Sequence, residues 1–139
     1  MDIYEATQTI LMQTVPDASV SAYVLQYDET MNQFILPDFP AVTYNYVGIV
    51  PVVSHGGSSS LFRVNLDVEV WGDLEQIDAN AQKVTDALNA KRVTVGNVEF
   101  TVVCMEATDI AELGLDFKRR RMNFTGLVEV GEGHGETSL

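Results

Sequence analysis

Cysteine is almost absent from this chain: Cys104 stands alone among 139 residues. One thiol closes no internal disulfide and anchors no cysteine-rich metal site. Histidine is nearly as scarce, with His55 and His134 far apart, so the clustered ligands that zinc requires are missing. Positive charge is the third shortage. Eight Lys and Arg face twenty Asp and Glu, for a net charge of −12. A general nucleic-acid binder needs a basic footprint to displace counterions, and an anchor on anionic lipid needs one too. Long apolar runs are also missing. Nothing approaches the roughly 18 residues that span a bilayer as a helix. No positively charged start precedes an apolar stretch, so no secretory signal is expected.

What remains has the composition of an ordinary soluble domain, 46% apolar and 20% charged. The length suits one domain with a real core. The acidic balance has a plain reading, mutual repulsion that keeps copies in solution. The bases are uneven, however. Lys118, Arg119, Arg120 and Arg121 form one run, and only Arg63, Lys83, Lys91 and Arg92 lie elsewhere. One basic spot on an acidic chain can attract a second copy head to tail.

The chain opens as a helix over Asp2 to Gln13. Asp2 caps it, Ile3, Ala6, Ile10 and Leu11 recur at helical spacing, and Pro16 stops it. Alternation from Val20 suits a strand through Tyr27. Asp28 to Gln33 is polar and turn-like, and Pro37 and Pro40 exclude helix around Phe39. Ala41 to Val53 is rich in β-branched and aromatic residues and reads as a strand, bent or at an edge because of Gly48 and Pro51. His55 to Ser60 reads as a mobile Gly/Ser loop.

Leu61 to Trp71 is the clearest element. Phe62, Val64, Leu66, Val68 and Val70 point one way, and Arg63, Asn65, Asp67 and Glu69 the other. Such alternation means one buried and one wet face. A helix follows over Asp73 to Ala90, capped by Asp73, with Leu74, Ile77, Ala81, Val84, Ala87 and Leu88 as its apolar stripe. Val93 and Val95, then Gly96-Asn97, then Val98, Phe100, Val102 and Cys104 predict a tight hairpin, with Cys104 a small hydrophobe on the apolar face. Thr108 to Asp116 is a short loop or one helical turn. Phe117 to Val130 is the last strand, and Gly131 to Leu139 a flexible tail. The expected fold class is α+β: a single antiparallel β-sheet with two main helices packed on one face, in one domain over residues 1–130.

Catalysis is poorly supplied. Neither histidine sits where a base would be held in orientation, and a Ser-His-Asp site built from His55 and the serines around it would rest on mobile neighbours. No G-x-S-x-G, Walker or dinucleotide pattern occurs. Asp67 and Glu69 share a strand face and admit a carboxylate site, though a solvated face explains them equally well. No catalytic residue, metal or cofactor is expected. The basic run has two readings: a solvated strand start balanced by Asp109, Glu112 and Asp116, or a site for an acidic partner. Alternation puts Arg119 and Arg121 on one face and Arg120 at the edge of the apolar face, where a cation needs a partner, at a subunit interface for instance.

The start Asp2-Ile3-Tyr4-Glu5-Ala6, the strand from Arg63 to Val70-Trp71-Gly72 running into the Ala81–Leu88 helix, and the late strand Arg119-Arg120-Arg121-Met122-Asn123-Phe124 occur in a telling order. Together they resemble the tail-completion and tail-terminator proteins of long-tailed bacteriophages, over residues 1–130. The resemblance implies an α+β fold and a non-enzymatic virion protein. It implies a homo-oligomeric ring, a hexamer, that caps the tail tube and meets the head-completion or connector protein, with genomic DNA passing through the lumen unbound. It maps no functional residue. The interaction residues expected here are Lys118, Arg119, Arg120 and Arg121, with His55, Gly56, Gly57 and Ser58 of the loop. Two other readings stand beside it: a small-molecule-binding α+β regulatory module, and a small hydrolase using serine and histidine near position 55. Within the ring reading, a head-completion or connector role is a near neighbour.

Overall fold

The computed structural model describes residues 1–22, 26–31, 33–35, 38–52, 60–111 and 118–131. Two helices carry the sequence signals they were expected to carry. Helix α1 spans Ile3–Thr14, and the Asp2 carboxylate accepts from the Glu5 N–H at 2.8 Å. Helix α2 spans Leu74–Leu88. Asp73 Oδ1 accepts from the Gln76 N–H at 2.8 Å while Gln76 Oε1 accepts from the Asp73 N–H at 3.0 Å. This reciprocal cap satisfies two donors that no helical carbonyl reaches.

The strands are β1 (Ser19–Ala22), β2 (Gln26–Asp28), β3 (Gln33–Ile35), β4 (Ala41–Val52), β5 (Ser60–Gly72), β6 (Lys91–Val95), β7 (Val98–Ala111) and β8 (Lys118–Val130). Six form one sheet in the order β1-β4-β5-β8-β7-β6, and β2 and β3 form a separate antiparallel pair. The alternation of β5 is honoured. Val64, Leu66, Val68 and Val70 face the helices, with Tyr44 and Tyr46 on β4, Met122, Phe124 and Val128 on β8, and Phe100 and Val102 on β7. Ile3, Ala6, Ile10 and Leu11 of α1 and Ile77, Ala81, Val84 and Leu88 of α2 close the same core. Each fully buried side chain of this size contributes about 1.5–3 kcal/mol through apolar surface removed from water.

Three expectations change. The sheet is mixed, because β1 runs parallel to β4 while the other neighbours are antiparallel. Parallel neighbours need a long crossover, and the stretch between Ala22 and Ala41, with β2 and β3 inside it, is that crossover. Side-chain alternation along a strand carries no information about the direction of its neighbour. Of the strand expected from Val20 through Tyr27, the part within Ser19–Ala22 pairs with β4 and Gln26–Asp28 lies in the small separate sheet, while residues 23–25 lie outside the described residues. The loop or turn expected from Thr108 is strand through Ala111, since β8 is long enough to pair with it to the end. The Gly/Ser loop over 55–59, Glu112 to Phe117, and the tail beyond Gly131 lie outside the described residues.

Two close approaches depend on glycine. A Cβ on Gly126 would stand 2.2 Å from the Thr101 carbonyl oxygen and 2.8 Å from the Val102 Cα, so only glycine lets β7 and β8 come together there. Gly96 takes φ +56° in the two-residue β6–β7 turn, as the Gly-Asn signature requires. Its neighbour Asn97 then ties down the end of β8, accepting from the Gly131 N–H at 2.7 Å and donating through Nδ2 to the Gly131 carbonyl at 3.0 Å.

Candidate functional site

The basic run opens β8, a central strand flanked by β5 and β7. Its side chains divide between the two faces of the sheet, as alternation requires. Arg119 and Arg121 lie on the face away from the helices. Both reach Glu69 of β5: Arg119 Nη1 donates to Oε2 at 3.1 Å, and Arg121 Nε to Oε1 at 3.4 Å. Glu69 is only 7% exposed. A buried carboxylate needs compensation, and two guanidiniums supply it.

The same cluster extends toward the end of β5. The Arg119 guanidinium lies over the Trp71 ring, 5.0 Å from its centroid, a cation–π contact. Phe39 stacks near Trp71 at 6.1 Å and 19°. The Trp71 indole N–H donates to Thr43 Oγ1 at 2.9 Å. Thr43, Glu69 and Trp71 are therefore all buried on the face that alternation marks as wet. Further along the strands, Asn123 Nδ2 donates to Asp67 Oδ1 at 2.8 Å and to Asn65 Oδ1. A shallow cleft of about 320 Å³ opens beside these groups, with Arg121 and Asn123 on one wall and Glu106 and Thr108 of β7 on another.

Arg120 lies on the helix face, at its edge. It donates through Nε to Asp109 Oδ1 and through Nη2 to Asp78 Oδ1 of α2 at 2.8 Å. The hydrogen bond to Asp109, with a further one to Asp78, holds this guanidinium above the usual arginine range despite its partial desolvation. The partner that a cation at this edge requires is thus found within the chain. Asp109 was expected to balance the run and does so. Glu112 and Asp116, expected beside it, lie outside the described residues.

The structure brings Arg119, Arg120 and Arg121 into one ion-paired seam linking β5, β7, β8 and α2. The backbone of Lys118 pairs with Gly72 and Ala111. His55, Gly56, Gly57 and Ser58 fall outside the described residues, so the structure does not place them beside the run. Two members of the seam were not singled out as its partners. Glu69 looked like any acid on a wet strand face; the signal was its place two residues before Trp71 with arginines arriving on the neighbouring strand. Asp78 is one of several acids on α2, and only tertiary packing brings it to Arg120. Chemically the arrangement compensates charge and locks strands together. It presents no aligned nucleophile and base among the described residues.

No family model matches the sequence, and no curated protein does either. Among solved structures, a chain from the virion of a native gene transfer agent particle shares the fold. Its TM-score is 0.57 at 14% identity, over 91% of this chain and 94% of that one. The likeness covers nearly the whole of both chains. At that identity it is a likeness of fold.

Proposed function

We propose that this chain is a structural protein of a phage-like virion. It assembles with copies of itself into a ring, a hexamer in this reading, that caps the tail tube and joins it to the head or neck. The observation that carries the proposal is the end-to-end fold likeness to a chain of the gene transfer agent virion particle. It agrees with the resemblance to tail-completion and tail-terminator proteins carried by the Val70-Trp71-Gly72 strand end and the Arg119–Phe124 strand. The chain acts by assembly, and the polar seam around Glu69 serves to hold a sheet rigid. Its partners are further copies, the tail tube protein and a head-completion or connector protein, and its place is the virion, after assembly in the host cytoplasm. The net charge of −12 suits a ring through which a genome passes without being held, because like charge repels the phosphate backbone. Lys118 and the loop residues His55, Gly56, Gly57 and Ser58 are assigned to contacts with neighbouring subunits or rings, while Arg119, Arg120 and Arg121 of the same run are engaged within the chain by Glu69, Asp109 and Asp78.

Negative-stain imaging of the concentrated protein tests this reading. Annular particles of uniform diameter are expected. A field of single small domains at every concentration, in the presence and absence of isolated tails, contradicts it.

A further inference from the structure

The sheet has two incomplete edges, and they lie at opposite corners. On one side β1 covers only Ala41 to Tyr44 of β4, leaving Asn45 to Val52 without a neighbouring strand among the described residues. On the other side β6 covers β7 only as far as Val102. The Cys104 N–H is taken by Asn89 Oδ1 at 2.7 Å, so the stretch without a neighbouring strand among the described residues runs from Met105 to Ala111. The open stretches have nearly equal lengths. Through β5 and β8, β4 and β7 run antiparallel to each other.

The two edges are only partly protected. Natural edges carry charge, proline or bulges that deter pairing. Both strands do have a bulge, at Tyr46/Gly48 and at Cys104/Glu106, and β4 has Pro51. Yet Ala41–Val52 contains no charged residue in a chain of net charge −12. Val47 and Val50 on one open stretch and Met105 on the other are more than half exposed.

We propose that the open half of β4 in one copy pairs antiparallel with the open half of β7 in the next, continuing the sheet from subunit to subunit. This rests on the assembly reading above and gives it a contact. Charge selects the pairing. Joining β7 to its own copy brings two edges that each carry Glu106 into one seam, whereas β4 brings no charge to it; Asp109 is already held by Arg120. Joining β4 to β4 leaves every β7 edge open. A head-to-tail β4–β7 contact fills both edges and propagates, which is what rings require.

The geometry closes as well. Thr108, at the centre of the open β7 stretch, is level with Arg121, Glu69 and Thr43 across the sheet. The open β4 stretch is centred at Gly48; Thr43 pairs with Glu69 and Gly48 with Asn65, four β5 residues apart, so the next copy is offset by about 13 Å along the strands at ~3.3 Å per residue. One copy advances the sheet by four strands, about 19 Å at ~4.8 Å each. A ring absorbs that offset as a strand tilt of roughly 35°, at the lower limit of the ~35–45° of closed β-barrels. In this register Val50, which pairs with Arg63, and Glu106, which pairs with Asn123, share the face away from the helices and stand opposite each other.

The test is a charge series at Val50, an exposed position, read by solution mass with far-UV circular dichroism as the check on folding. Val50→Asp, facing Glu106, is expected to lower the assembled fraction at least tenfold, and Val50→Lys to keep it. In a Cys104→Ser background, Val50→Cys with Glu106→Cys is expected to give a ladder of disulfide-linked species on oxidation, and either cysteine alone none. Wild-type assembly that survives Val50→Asp overturns this contact while leaving the ring reading intact. Equal loss with Asp and Lys, or linked dimers from Val50→Cys alone, overturns the β4–β7 pairing in favour of another edge arrangement. A wild-type chain that never assembles overturns both.

Discussion

Glu69 and Arg119 meet diagonally across the β5–β8 pairing. The register sets Glu69 opposite Arg121 and Trp71 opposite Arg119, yet Arg119 Nη1 reaches the Glu69 carboxylate at 3.1 Å while its guanidinium lies over Trp71. One arginine thus compensates a buried acid and covers an indole. This contact converts the open face of the sheet, at the β5 C-terminal end, into a small second core.

The first prediction concerns that core. Glu69→Ala leaves two guanidiniums without their buried counter-charge. It is expected to cost about 3 kcal/mol, toward the lower end of the range for broken buried pairs because Arg121 is partly solvated. Urea titration monitored by Trp71 fluorescence measures it. A change below about 0.5 kcal/mol, the level of an exposed pair, sinks the idea that Glu69 is structurally committed.

A second prediction is a pH dependence. Burial pushes the Tyr46 phenol well above its usual range, and more modestly that of Tyr44. Thr7 Oγ1 donates to the Ile3 carbonyl at 2.7 Å, so across the 2.7 Å contact the Tyr46 hydroxyl is the donor. A group whose pKa is higher folded than unfolded stabilises the fold below its unfolded value and loses that contribution as pH rises. Stability should therefore fall above about pH 10, where an unfolded tyrosine begins to ionise. Tyr46→Phe should flatten most of that fall and leave the smaller part due to Tyr44. Thermal melts between pH 8 and 11 show it; identical slopes for the two proteins contradict it.

The third prediction separates a backbone requirement from an ordinary surface position. Gly126→Ala sets a methyl against the Thr101 carbonyl and the Val102 Cα, which cannot rotate away. A loss of at least about 2 kcal/mol is expected, as for overpacked sites. Thr125→Ala, one residue earlier, should change stability by less than about 0.5 kcal/mol apart from its strand propensity. Equal effects at the two positions refute the close-approach argument.

A fourth concerns the link between α2 and the sheet. Arg120→Ala removes the shared partner of Asp78 and Asp109, two acids that are both largely solvated. A loss of about 1 kcal/mol is expected, most of it vanishing in 1 M salt, because exposed ion pairs are screened. A salt-independent loss would assign the effect to the packed arginine stem instead.

Much of this fold was legible in the sequence. Asp2, Asp73 and Gly96-Asn97 mark element ends with chemistry that acts locally, and the alternation of Phe62 to Val70 names a buried face outright. The parallel placing of β1 was not legible, because Ser19 to Ala22 hold no record of which way their neighbour runs. The extension of β7 through Ala111 was hidden by the polar composition of Thr108 and Asp109, which long-range pairing with β8 overrides. The site was half legible. Alternation correctly separates Arg120 from Arg119 and Arg121, but their acids, Glu69 and Asp78, sit 50 and 42 residues away. Only the assembled sheet and the helix packed on it bring them together.

The measurement that bears most directly on the assembly account is the solution mass across a concentration series by light scattering. The account predicts a discrete species at six times the 15.3 kDa chain, unchanged on further concentration, since a closed ring has no free edge to extend. A chain that remains at 15.3 kDa throughout, with or without tail tubes, contradicts it.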